Sequence, residues 1–101
     1  MVAELVKTEP INVKRAARVL KSISHPARIQ IVELLLERGP LPVKEIYESV
    51  SISQSNASQH LKLLEDAGVL ISERDGKQIY YRAANPNTAR LIACVSAFSE
   101  S

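Results

Sequence analysis

Residues 51–70, SISQSNASQHLKLLEDAGVL, run straight into ISERDGKQIYYRAA, and this succession constrains the fold more than any other stretch of the chain. The first part has the period of a short helix. Ala57, His60, Leu61, Leu63 and Leu64 fall on one arc, which must pack, while Ser55, Ser58, Gln59 and Lys62 fall opposite with Gln54 at the N-terminal edge. Ser53 is placed to cap it, because its hydroxyl can accept an orphan backbone N–H, and Gly68 ends it. Two strands over 69–74 and 77–82 follow, joined at Asp75-Gly76, a dipeptide that favours tight hairpins. A polar-faced helix leading into a hairpin leaves few architectures open.

The preceding sequence narrows them further. Residues 1–10 read as an arm ending at Pro10. A helix is expected over 12–22, with Val13, Ala16, Ala17 and Leu20 at helical spacing. Ser24-His25-Pro26 is a helix start, since proline's missing N–H costs nothing in the first turn. That second helix reaches Arg38, with Ile29, Val32, Leu35 and Leu36 inward, and stops at Gly39. Pro40-Leu41-Pro42 reads as a stiff connector. Residues 43–50 form a short helix with Val43, Ile46, Tyr47 and Val50 on its packed side, and 51–53 form a turn with Ile52 directed inward. A last helix spans 86–98, carrying Leu91, Ile92, Val95 and Phe98 on one side. The expected fold is mainly α, with about five helices and a two-stranded wing: a winged helix-turn-helix.

Length and composition agree with a single domain over 1–101. The chain has 101 residues, 46% hydrophobic and 24% charged, which is ordinary for a globular protein and excludes a disordered one. No Trp, one Phe and three Tyr leave the core to aliphatic side chains. Such a small core makes help from a second subunit reasonable. The net charge is only +2, but Lys7, Lys14, Arg15, Arg18, Lys21 and Arg28 face just Glu4 and Glu9 in the first thirty residues. Cys94 stands alone, so a disulfide framework is excluded and a reducing compartment expected. No segment has the apolar run of a signal peptide or the ~20 residues of a membrane span. A soluble cytoplasmic protein with no membrane partner is expected.

The face of helix 54–67 points to function. Lys and Glu are better helix formers than Ser, so an exposed Ser/Gln face is an odd choice for solvation alone. In a major groove it has a use: Gln pairs with adenine N6 and N7, and Ser bonds to either base. Gln54, Ser55, Ser58 and Gln59 are therefore candidate base readers. Lys62 and Lys44 suit phosphate better, because a mobile ammonium carries little geometric information. Arg74, Lys77 and Gln78 sit at the hairpin turn, where they could reach phosphate or the minor groove. The plainer reading of these wing residues is edge-strand charge that discourages aggregation.

Catalytic and metal chemistry find little support. His60 lies among Ala57, Leu61 and Leu64 and reads as a packed histidine. His25 reads as structural. Two histidines far apart in sequence and one cysteine match no metal-ligand spacing, and no cofactor is called for. There is no GxxxxGKS/T, nucleophile elbow or HExxH.

With SHPAR at the second helix, SQSNASQHLKLLEDAGVL and DGKQIYYRA in this order and spacing, residues 13–98 resemble the ArsR/SmtB family of bacterial winged-helix repressors. The resemblance implies a homodimer on a palindromic operator, with helices 13–21 and 86–98 at the interface. Val13, Ala17, Leu20, Leu91, Ile92 and Val95 are the residues it assigns there. It implies repression until an effector acts, and the effector is not named by the sequence. Metal-sensing members carry a cysteine box before the recognition helix or an Asp/His set on the last helix. Here those places read LPVKEIYESV and PNTARLIACVSAF, so metal sensing at these sites is not inherited. Cys94 is the remaining candidate sensor, through oxidation or an intersubunit disulfide; the alternative is a small buried apolar residue. A winged helix serving as a protein- or RNA-binding module is the competing class, and it would require an apolar patch on the recognition side.

Overall fold

The computed structural model describes residues 12–99, and the arm expected over 1–10 lies outside them. Among the described residues, five helices and three strands follow one another. They are α1 (Val13–Ser22), α2 (Pro26–Arg38), β1 (Leu41–Pro42), α3 (Val43–Ser49), α4 (Gln54–Asp66), β2 (Leu70–Asp75), β3 (Gln78–Ala83) and α5 (Pro86–Ser99). This is the winged helix-turn-helix expected from the sequence, with one strand more.

Three helix starts are fixed by side chains that accept orphan amides. Asn12 Oδ1 accepts from Arg15 N–H at 3.1 Å, and Ser53 Oγ accepts from Asn56 N–H at 3.1 Å. At α2 the cap is His25, whose Nδ1 accepts from Ala27 N–H at 3.1 Å ahead of Pro26. The structural role read for His25 is thus a specific one.

The core is aliphatic. Ile31, Val32, Leu35, Ile46, Leu61 and Leu64 are buried together with Val69, Leu70 and Ile92. Ile31, absent from the expected inward set of α2, is fully buried, because α4, α5 and strand β3 all pack on α2 and widen its buried arc. Leu63 departs from the arc assigned to it. At about 180° around α4 from Gln54 it lies between the packed and the open face, and it is 45% exposed.

The connector at 40–42 proves to be part of the sheet. Leu41 and Pro42 pair antiparallel with Tyr81 and Tyr80, giving the order β1-β3-β2 in place of a two-stranded wing. Proline can join there because β1 is an edge strand, where its missing donor breaks no second ladder. The hairpin itself is shifted by one residue from expectation. Asp75 pairs with Gln78, so the two-residue loop is Gly76-Lys77 and not Asp75-Gly76. Gly76 has φ +65° while Lys77 keeps a negative φ. Glycine alone takes the left-handed corner, so neither neighbour is strained.

α5 is joined to this sheet by a buried hydrogen bond. Thr88 Oγ1 donates to Val69 O at 2.8 Å, and the same oxygen accepts from Ala84 N–H at 3.1 Å. Thr88→Val removes the first bond and leaves the second. It should lower stability by about 1 kcal/mol, read as a reduced urea midpoint with an unchanged slope; an unaltered midpoint would show that the bond contributes nothing net.

Candidate nucleic-acid interface

The turn between α3 and α4 sets the direction of α4. Val50 N–H donates to Ile46 O and Ile52 N–H to Tyr47 O, both at 3.1 Å, closing the end of α3. Ser51 then takes φ +58°, a left-handed conformation that costs a non-glycine residue about 1–2 kcal/mol. The reversal brings Ile52 against the core and Ser53 into its capping position.

Along α4 the packed stripe is Ala57, Leu61 and Leu64, each fully buried. Gln54, Ser55, Ser58, Gln59 and Lys62 are exposed and fall within an arc of about 140° on the other side. Ser55 Oγ lies 3.5 Å from the capping Ser53 Oγ. Lys62 Nζ is 3.8 Å from Asp66 Oδ1, an exposed i,i+4 pair too weak to withhold the ammonium from a stronger anion. All five predicted side chains of α4 therefore share one open face, and no large apolar residue lies on it.

Lys44 on α3 and Arg74, Lys77 and Gln78 on the wing are exposed as well. Arg74, Lys77 and Lys44 form no ion pair among the described residues. The wing is braced from behind: Glu65 Oε2 accepts from Ser72 Oγ at 2.6 Å, joining α4 to β2. Across the hairpin Arg82 Nε donates to Glu73 Oε1 at 2.7 Å. Sequence reasoning missed both braces, since each joins residues of ordinary surface type. Tyr81, half-buried in β3, has its phenol pKa raised, first by burial and then by the Glu65 charge.

The two histidines, far apart in sequence, are neighbours in space. Their ring centroids are 4.7 Å apart at 51°. The His60 pKa is lowered below 6.5, mainly by burial and further by His25 and Arg28. The pair therefore joins the cap of α2 to the packed edge of α4. Nothing local in the sequence could have shown this, because it depends on how two helices cross. Among the described residues, no three His, Cys, Asp or Glu side chains group as a metal site. Nor is any described helix long and apolar enough to cross a membrane.

A second surface lies on α1 and α5. Val13 is 69% exposed, Leu20 58% and Phe98 83%, and Ala17 is open as well. Leu20, Ala16, Val19 and Leu91 line one open, mainly apolar groove of about 420 Å³. Leu91 and Val95 are half-buried against the chain's own core. Ile92, placed on this surface by the resemblance, is instead 7% exposed inside that core, because its side of α5 faces α2. Cys94 is exposed on the chain, contrary to the buried role weighed for it, since it lies two positions from Ile92 and points away from the core.

The model of the bacterial regulatory proteins of the arsR family matches residues 25–72, from the α2 cap into β2. The helix-turn-helix-type transcriptional regulator Rv0081 of Mycobacterium tuberculosis is 40% identical over 88 residues, 87% of this chain and 76% of that protein. The biofilm growth-associated repressor of Agrobacterium fabrum is 38% identical over 91 residues, covering 87% and 77%. Among solved structures, the homodimeric winged helix-turn-helix DNA-binding domain Mb0332 of Mycobacterium bovis superposes with a TM-score of 0.81. It is 32% identical, covering 87% of this chain and 81% of that one.

The depressed His60 pKa sets the sign of a pH effect. The unfolded chain takes this proton more readily than the folded one, so stability rises with pH through the window. The contribution is complete above 6.5 and is lost as pH falls below 6.5 toward the lowered folded value. His60→Gln should lose less stability than the parent protein when urea unfolding at neutral pH is compared with mildly acid pH. Equal losses would assign the acid sensitivity to other groups.

Proposed function

The chain belongs to the arsR family of bacterial regulatory proteins, and on that footing we propose that it is a homodimeric transcriptional repressor reading double-stranded operator DNA through α4 and the wing. The observation that carries this reading is the open Ser/Gln face of α4 above a fully buried Ala57, Leu61 and Leu64 stripe. A protein-binding module would offer large apolar side chains on that face, and it offers none.

In this reading Gln54, Ser55, Ser58 and Gln59 meet base edges in the major groove. Small side chains let the helix sit deep, and Gln59 supplies paired hydrogen bonds to adenine. Lys62 and Lys44 hold phosphates flanking the helix. Arg74, Lys77 and Gln78 extend the grip to backbone or minor groove beyond it. Binding by these groups requires no catalytic step, and a regulator of this kind would act in the cytoplasm, where the bacterial chromosome lies.

The second subunit covers the exposed face of α1 and α5. Val13, Ala17 and Leu20 with Leu91 and Val95 form its apolar centre. Leaving Val13, Leu20 and Phe98 in water costs free energy that association recovers, at roughly 25 cal/mol per Å² of apolar area. The two-fold axis then presents two α4 helices to half-sites about one helical turn apart, ~34 Å. The exposed Cys94 thiol supports a thiol-responsive form of the same repressor as a second reading. A Cys94→Ser protein whose DNA binding still responds to oxidant would remove that second reading.

Fluorescence anisotropy of the reduced protein on DNA from its own upstream region, against scrambled DNA over a salt series, tests the main reading. Gln59→Ala should lose about 1–3 kcal/mol of discrimination between the two DNAs. Lys62→Ala should weaken both and lower the salt slope by about one phosphate contact. Equal loss on both DNAs for Gln59→Ala would show that Gln59 reads no base. Leu20→Arg, by placing a charge on the apolar face of α1, should sediment as a monomer; a persistent dimer would move the interface elsewhere.

A further inference from the structure

Between α1, the start of α2 and the C-terminal half of α4 lies a cleft of about 260 Å³ that the DNA-binding reading does not use. Most of its lining is apolar, with Leu63 and Ala67 contributing from α4 and the turn after it. Arg18, Lys21 and Arg28 stand around it against a single carboxylate, Asp66. That carboxylate already lies 3.8 Å from Lys62. Arg28 also holds its Nε buried, with no hydrogen-bond partner among the described residues. The neighbouring His60 registers the same positive field, since Arg28 is among the causes that lower its pKa.

We infer that this cleft binds a small organic anion, a monocarboxylate with a compact apolar body. The carboxylate is held by Arg18, Lys21 and Arg28, and the apolar part lies against Leu63 and Ala67. Guanidinium groups suit this task because their planar donors match both carboxylate oxygens. Inorganic phosphate would satisfy the cations and leave the apolar lining in water, and a neutral apolar molecule would do the reverse. The volume lies just below the usual range of about 300–1,000 Å³ for ligand pockets, which favours a single ring or a short chain.

The walls of the cleft give its occupant a regulatory position. Arg18 and Lys21 belong to α1, the helix with the exposed apolar face, and Leu63 and Asp66 belong to α4, which carries the reading side chains. A ligand touching both helices fixes their relative placement, and any resulting change in DNA affinity is matched by an equal change in ligand affinity. This coupling rests on the DNA-binding reading; the binding of the anion does not.

The test is a titration of the full-length, isotope-labelled protein with phenylacetate, followed by amide NMR in the absence of DNA. Saturable shifts should be confined to α1, the start of α2 and the second half of α4. Neutral 2-phenylethanol and inorganic phosphate should each bind about tenfold more weakly, having lost the ionic or the apolar half of the contact. Leu63→Glu places a carboxylate in the lining at a position already exposed, so the fold is retained and phenylacetate binding should disappear. Lys21→Gln should weaken it several-fold. The proposal is overturned by an absence of saturable shifts, by unchanged binding in both variants, or by phosphate binding as well as phenylacetate. The last result would make the three cations a phosphate grip. Phenylacetate binding in a protein that fails to select DNA in the anisotropy experiment would uphold the cleft and overturn the function reading instead.

Discussion

Everything on the open face of α4 depends on burying its other side completely. Ala57, Leu61 and Leu64 are removed from water against α2 and α3, and this packing holds the helix in one rotation about its axis. A rotation by one residue, about 100°, would turn the Ser/Gln face away and expose leucine. The polar residues contribute little to folding, so they are free to be chosen for recognition. Stability resides in the stripe, and the proposed selectivity in the arc opposite.

The same division explains how much could be read from the sequence. Helix period, the Ser53 cap and the alternation of 69–83 are local, and the elements they predict are present. The wing was misplaced by one residue because Asp75-Gly76 and Gly76-Lys77 are both acceptable loops, and only the pairing of Asp75 with Gln78 decides between them. Strand β1 was invisible because two residues carry no period, and proline argues against a strand until an edge is available for it. For the site residues the sequence gives type and spacing, and the structure gathers the α4 set on one face. The histidine pair and the burial of Ile92 were beyond reach because each is set by how helices pack on one another, whereas Leu63 sits about 180° around α4 from Gln54, an offset the helix period already contains.

Charge is distributed by task. Lys44, Lys62, Arg74 and Lys77 are exposed and either unpaired among the described residues or only weakly paired, which is what the proposed phosphate contacts require. Arg82 and Glu73 are committed to each other across the hairpin, and Glu65 to Ser72. The cations around the cleft at Arg28 belong to neither group. Arg18 and Lys21 are exposed and Arg28 is half-buried, gathered beside Leu63 and Ala67 with one carboxylate, Asp66, among them.

The oxygen of Val69 bears on more than local stability. It receives both Thr88 Oγ1 from α5 and Ala84 N–H from the end of the hairpin, one residue beyond the glycine that closes α4. α5 and the root of the wing thus meet at a single acceptor. A six-residue strand at about 3.4 Å per residue is a lever arm of roughly 20 Å. A tilt of about 3° at that root moves the wing tip by about 1 Å, enough to break a hydrogen bond made at the tip. The hairpin would thus multiply any tilt at its root, by a factor set by the length of β2.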